Sequence, residues 1–264
     1  MSTVYGENGL TGTGYTPPKR VNFGWLGESW GLFRENAGLW IFAILIGAYA
    51  PLIFNAFVFG AWHLTTHGAH DFVHISRGLE TGVSLLTLAY VTFIWSGIFR
   101  MAVKQVSGEP IAFSDVFSGA SNFPSMLAFL IVSYLLIVVG SFMVIIPGIL
   151  AAGLLLPGFA MVASGEPVGS AIQKSFAAMW PERLMAMAFA FGLGLIVWLS
   201  SLVFALGPLV TLSMYAIVSA LAYRDMIGLP HSGKVESLDT ILGLAPEAPH
   251  AVSLTGEVDD DIQK

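Results

Sequence analysis

The sequence has no cysteine and very few charges. Without a thiol the chain cannot form a disulfide, a thiolate metal centre or a cysteine nucleophile. Asp, Glu, Lys and Arg make up 11% of the 264 residues, less than half the roughly 25% of a soluble domain. That excludes an ordinary soluble enzyme, and with no basic stripe it excludes a nucleic-acid binder as well. A disordered chain is excluded from the other side, because 55% of the residues are hydrophobic and the mean hydropathy is +0.76. Disorder requires low hydrophobicity. What remains is an integral membrane protein.

The few charges are unevenly placed. Residues 227–264 hold two lysines and seven acids, so they carry -5 of the net -6. Residues 1–20, rich in Gly, Thr and Pro, cannot bury a core and are expected to be flexible. A membrane domain is expected over 21–226, followed by an acidic, disordered cytoplasmic tail over 227–264. The tail's run Asp259-Asp260-Asp261 has no scaffold that would make it a metal site. The first long apolar run starts near Leu39, behind a polar segment with Lys19, Arg20, Glu28 and Arg34, and so reads as a span and not as a signal peptide.

A helix needs about 20 apolar residues to cross roughly 30 Å of hydrocarbon. Leu39 to Trp62 and Val83 to Val103 are two such runs. Pro124 to Ser164 is too long for one crossing, and Pro147-Gly148 marks a turn in its middle. Leu184 to Tyr223 is divided in the same way by Gly207-Pro208. The expected fold is all-α: a polytopic bundle of six transmembrane helices. Ten of the eleven basic residues then fall on one side, with Arg77 the exception. The positive-inside rule makes that side cytoplasmic, with both termini inside.

Each pair of spans follows a short amphipathic segment. In the first, Phe23, Leu26, Trp30 and Phe33 share a helical face. In the second, Phe113, Val116 and Phe117 follow a start at Ser114-Asp115. In the third, Val168, Ile172, Phe176, Met179 and Trp180 line one side. Leu26-x-x-Ser29-Trp30-x-x-Phe33 overlays Ile172-x-x-Ser175-Phe176-x-x-Met179. Three repeated units are expected, each an interfacial helix plus a helical hairpin, with the short helices lying at the headgroup boundary.

The Pro147-Gly148 hairpin, the Ala171-x-x-Lys174-Ser175-Phe176 helix and the Trp30-x-x-Phe33 segment resemble an uncharacterised bacterial multi-pass family. That family is similar to the membrane domain found beside glycerophosphoryl diester phosphodiesterase catalytic domains. The resemblance spans roughly residues 22–227. It implies six helices in a bacterial inner membrane and carries over no catalytic residue, because nothing outside the membrane is long enough to be that catalytic domain.

Ionisable groups in a membrane are the usual mark of function, and the spans have almost none. Arg100 can snorkel from the end of span two. Asn55 is the only carboxamide deep in a helix, a candidate for a cavity or a packing contact. The other polar groups are hydroxyls such as Thr87, Thr92, Ser133, Thr211 and Ser219, which in membranes bond back to their own helix or bridge to a neighbour. No acid–base pair, H-E-x-x-H motif or phosphate-binding glycine loop is present, so no enzyme is expected. Gly140, Gly153, Gly158, Gly192 and Gly194 are expected to permit close helix packing.

The outer loop, about Trp62 to Gly82, carries four of the six histidines. If it is helical, His63, His67, His70, Asp71 and His74 share a face. His67, His70, Asp71 and His74 are then candidate ligands for a divalent transition metal, or groups that respond to pH. No other cofactor is expected. The leading expectation is a non-enzymatic structural or accessory protein of the inner membrane, in contact with lipids and with a membrane-protein partner or a second copy of itself. A permease or channel for a small neutral or lipid-like solute is the rival, and metal binding by the histidine loop is a further one.

Overall fold

The computed structural model describes residues 20–65, 73–143, 145–202 and 206–229. By its contacts the chain divides into Met1–Leu229 and Pro230–Lys264, and every described residue lies in the first unit. The described residues are all-helical, with no strand among them. In chain order they form α1 (Gly24–Glu35), α2 (Ala37–Ile44), a π-helical turn (Leu45–Tyr49), α3 (Ala50–Thr65), α4 (Val73–Val106), a 3₁₀ segment (Phe113–Asn122), α5 (Phe123–Met143), α6 (Ile145–Ala163), α7 (Val168–Met179), a second 3₁₀ turn (Trp180–Glu182), α8 (Arg183–Leu202) and α9 (Gly207–Met226).

Five stretches are long and apolar enough to cross a membrane: Ala37–Ala61, Arg77–Val106, Phe113–Phe142, Ile146–Ala163 and Val168–Leu202. Their outward faces expose large apolar side chains, including Phe142 at 87% and Phe57 at 74%. A water-soluble bundle would bury such groups. α9 is of a different kind. It packs against α1, α2, α4, α6 and α8 and buries every residue from Ala216 to Tyr223.

Several local expectations shift by a few residues for physical reasons. Pro147-Gly148 lies in the first turn of α6, which begins at Ile145. Gly207-Pro208 likewise opens α9. A proline fits the first helical turn because its missing N–H has no intrahelical partner there anyway. The loop expected over 62–82 is shorter, since α3 reaches Thr65 and α4 begins at Val73. At 34 residues, α4 is about 51 Å long and extends well past the apolar run Val83–Val103.

Each short helix turns one definite side to the bundle. α1 buries Trp25, Ser29 and Phe33, and leaves Phe23 and Trp30 exposed. α7 buries Ala171, Ser175 and Met179, with Trp180 exposed. The 3₁₀ segment buries Val116 and Gly119 and exposes Phe113 and Phe117. In the 3₁₀ segment small or slender residues face the bundle and bulky rings stay outside, and in α7 Ala171 and Ser175 are buried while Phe176 is only partly so, because a short helix must bring its backbone close to gain contact. Glycines set the closest approach. A Cβ on Gly97 of α4 would lie 1.9 Å from the Val116 carbonyl oxygen, and one on Gly119 would lie 2.1 Å from that of Phe93. Gly140, Gly153 and Gly158 also face close neighbours, whereas Gly192 and Gly194 meet nothing within 4 Å. The last two are therefore not packing glycines.

Candidate functional site

Two places concentrate polar chemistry. The first is a cleft between α3 and α4. Span one changes register before Pro51: the N–H of Ala50 donates to the Leu45 carbonyl, five residues back. The next bond in that register would run from residue 51 to the Ile46 carbonyl, and proline has no N–H to give. The Tyr90 hydroxyl of α4 supplies the missing donor at 3.0 Å. One turn further on, Asn55 Nδ2 donates to the Pro51 carbonyl at 2.7 Å and to Thr87 Oγ1 at 3.0 Å. Beside this clasp lies a cavity of about 300 Å³ lined by Ala50, Pro51, Phe54, Leu86, Thr87 and Tyr90. Its walls are almost wholly apolar. They suit a chain or ring with at most one or two hydrogen bonds, and they offer no acid or base.

The second place is the end of the bundle where the short helices gather. Trp25, fully buried, donates from Nε1 to Asp225 Oδ2 at 2.8 Å. Arg224 joins Asp225 at 2.7 Å and Glu28 at 2.6 Å. Trp40 donates to Gln105 Oε1 at 2.8 Å, and Gln105 passes a bond of 2.7 Å to the Leu32 carbonyl. Lys104 holds Asp115 at 2.9 Å, and Asp115 accepts from the Ala112 N–H at the start of the 3₁₀ segment. Arg100 is exposed and bonds to Ser121 Oγ at 3.2 Å. Glu166 pairs with Lys174 and Ser170. The bonds to Lys174 and Ser170 outweigh burial and hold the Glu166 carboxyl below its ordinary range. Asp225 accepts from both Trp25 and Arg224.

Of the candidates read from sequence, Asn55 lies at the cleft and is engaged in bonding. Its partner Tyr90 was not singled out, because a tyrosine in a span reads as ordinary amphipathic filling; only the proline-induced register change gives it a task. Gln105, just beyond span two, went unnoticed for want of a visible partner in sequence. His67, His70 and Asp71 lie outside the described residues. His63 lies in α3 and His74 in α4; the shared face expected for His63, His67, His70, Asp71 and His74 runs through residues 66–72, outside the described residues. Among the described residues no group of three or more His, Asp or Glu could hold a metal ion. The hydroxyls do bond locally or across helices: Thr92 to Leu88, Ser213 to Leu209, and Ser219 to the Leu156 carbonyl of α6. Ser133 Oγ is the one buried polar side-chain atom without a partner among the described residues. No family model, curated protein or solved structure matches the chain.

Proposed function

We propose that this chain is a six-span protein of the bacterial inner membrane, with both termini cytoplasmic, that acts as a non-enzymatic structural or accessory component of a membrane complex or of the local bilayer. α9 is the sixth span. Its 20 residues make a rod of about 30 Å, the thickness of the hydrocarbon core. Its polar composition is tolerated because neighbouring helices, and not lipid, surround it, and its hydroxyls find carbonyls there. The three-unit organisation has two supports. A short helix followed by two long ones recurs three times in the element order. The buried triplets Trp25/Ser29/Phe33 and Ala171/Ser175/Met179 also coincide under the sequence overlay. The family resemblance through Trp30, Pro147-Gly148 and Lys174-Ser175-Phe176 fits the same architecture.

The observation that carries the accessory role is where the polar bonds go. The Trp25–Asp225, Trp40–Gln105 and Ser219–Leu156 bonds each tie one element to another. Gentle extraction of the native protein, size separation and mass spectrometry of what co-migrates test it. A stoichiometric protein partner is the expected result; a lone chain overturns it. The cleft at Pro51, Thr87 and Tyr90 favours a second reading, a permease or channel for a small neutral or lipid-like solute. Loss of uptake on changing Asn55 would support that role.

A further inference from the structure

The largest of the described pockets, about 620 Å³, opens at the short-helix end where the chain enters α1 and α8. Its lining is split in character. Arg20, Glu182 and Arg183 supply charge, and Phe23, Leu184 and Met185 supply apolar surface. The three apolar side chains are half or more exposed, up to 69% for Leu184. None of the three charged groups enters an ion pair with another described residue. Arg183 instead lies over the Trp180 ring at 5.5 Å, which fixes its guanidinium at the edge of the aromatic rim.

We propose that this pocket binds one glycerophospholipid by its headgroup. Arg20 and Arg183 take the phosphodiester, and Glu182 accepts from a headgroup that carries N–H or O–H donors. The inference rests on the membrane reading above and names a ligand for it. Guanidinium matches phosphate oxygens in geometry and charge and is more weakly hydrated than an ammonium. Two arginines alone would accept any phosphate. The apolar side, continuous with exposed Phe23 and Leu184, gives acyl chains a place and selects a lipid over a free phosphate. Glu182 adds discrimination: an ethanolamine ammonium or a glycerol hydroxyl can donate to it, and a choline headgroup has no donor.

The test uses the full chain in mild detergent, stripped of lipid and then offered phosphatidylethanolamine and phosphatidylcholine of identical acyl composition. Retained lipid is counted by native mass spectrometry. One phosphatidylethanolamine is expected in about tenfold preference over phosphatidylcholine, the worth of one bond to a charged acceptor. The double variant R20Q/R183Q loses both lipids, E182A keeps both without preference, and R34Q, whose guanidinium lies over Trp30 at 5.7 Å, behaves as the native chain. Soluble glycerol 3-phosphate does not displace the lipid. Equal retention of the two lipids by the native chain overturns the proposal, as does full retention by R20Q/R183Q. Displacement by glycerol 3-phosphate also overturns it, in favour of a free phosphate. Should R20Q/R183Q fail to fold, judged by its elution volume, the native preference and the displacement arm still decide. Loss of selectivity with a protein partner still bound would remove this site and leave the accessory role standing.

Discussion

The two ends of the bundle are built differently. At the short-helix end, the Lys104–Asp115 and Arg224–Glu28 ion pairs, two buried tryptophan N–H bonds and the Gln105–Leu32 bond tie together α1, α2, α4, α9 and the 3₁₀ segment. Toward the opposite end, α3 leaves Leu52, Ile53 and Phe57 exposed, and Asn55–Thr87 is a polar side-chain link between α3 and α4. Lipid tails are as apolar as leucine, so burial alone gives helices little reason to prefer one another. Cohesion has to come from close backbone packing and from polar groups that lipid cannot satisfy. The difference between the ends shows where this chain keeps both: one end is fixed, while α3 is held by little beyond a proline clasp.

The largest expected break is at the fixed end. Gly97→Ala places a methyl carbon 1.9 Å from the Val116 carbonyl oxygen, and backbone on both sides cannot yield cheaply. We expect a loss of about 3 kcal/mol or more, at the upper range of overpacking, read as a lower melting temperature in detergent. Gly194→Ala is the contrast. Nothing lies within 4 Å of its new Cβ, and alanine is the better helix former by about 1 kcal/mol, so this variant should melt at or above the native temperature. Equal melting of the two variants would remove close glycine packing as the basis of the fixed end.

Trp25→Phe comes next. The ring remains apolar, but Asp225 loses a donor from a fully buried partner. A bond to a charged group is worth about 1.5–3 kcal/mol, and we expect a loss in that range. If Trp25→Phe melts like the native chain, Arg224 alone is enough to hold Asp225.

These two sites mark the limit of what sequence makes visible. Apolar runs of about 20 residues exposed most of the helices, because length and hydropathy are local properties. The inward faces of the short helices were not visible in that way. In a membrane, bulky rings such as Phe23 and Trp30 are at home on the outside, so hydrophobic periodicity does not mark the buried side; small residues such as Ser29 and Ala171 mark it better. Gly97 and Gly119 look like any other span glycines until the Val116 and Phe93 carbonyls are placed against them. Asn55 was visible by its rarity. Its partner Tyr90 was not, because the task it performs is created by Pro51, which lies on another helix.

A carboxylate between α6 and α7 gives a pH test. Glu166 is held below its ordinary range in the folded chain by its bonds to Lys174 and Ser170. It therefore adds stability above its unfolded value, about pH 4, and that stability is lost as pH falls through the lower folded value. Melting should be flat from neutral pH to about 5 and decline below about 4. Glu166→Gln should start lower and decline less steeply. Glu166 is partly exposed, so the effect is smaller than for Trp25→Phe. An unchanged slope in Glu166→Gln would assign the acid sensitivity elsewhere.

The smallest expected effect lies at the loose end, and its size is the point. Asn55→Leu removes the donor to Pro51 and Thr87, and Thr87→Val removes its acceptor. Hydrogen bonds between membrane helices are worth about 0.6 kcal/mol by double-mutant cycles, because each group finds another partner when released. The coupling between Asn55 and Thr87 should fall near that value. Tyr90→Phe should cost somewhat more, since the Ile46 carbonyl, opposite a proline, has no local N–H to return to. If the Asn55–Thr87 coupling instead reaches the level of Trp25→Phe, α3 is fixed as firmly as α1, and the contrast between the two ends fails. If it stays small, the 300 Å³ cleft beside it is bounded by a helix that can shift at little energetic cost, as a lipid-like occupant there would require.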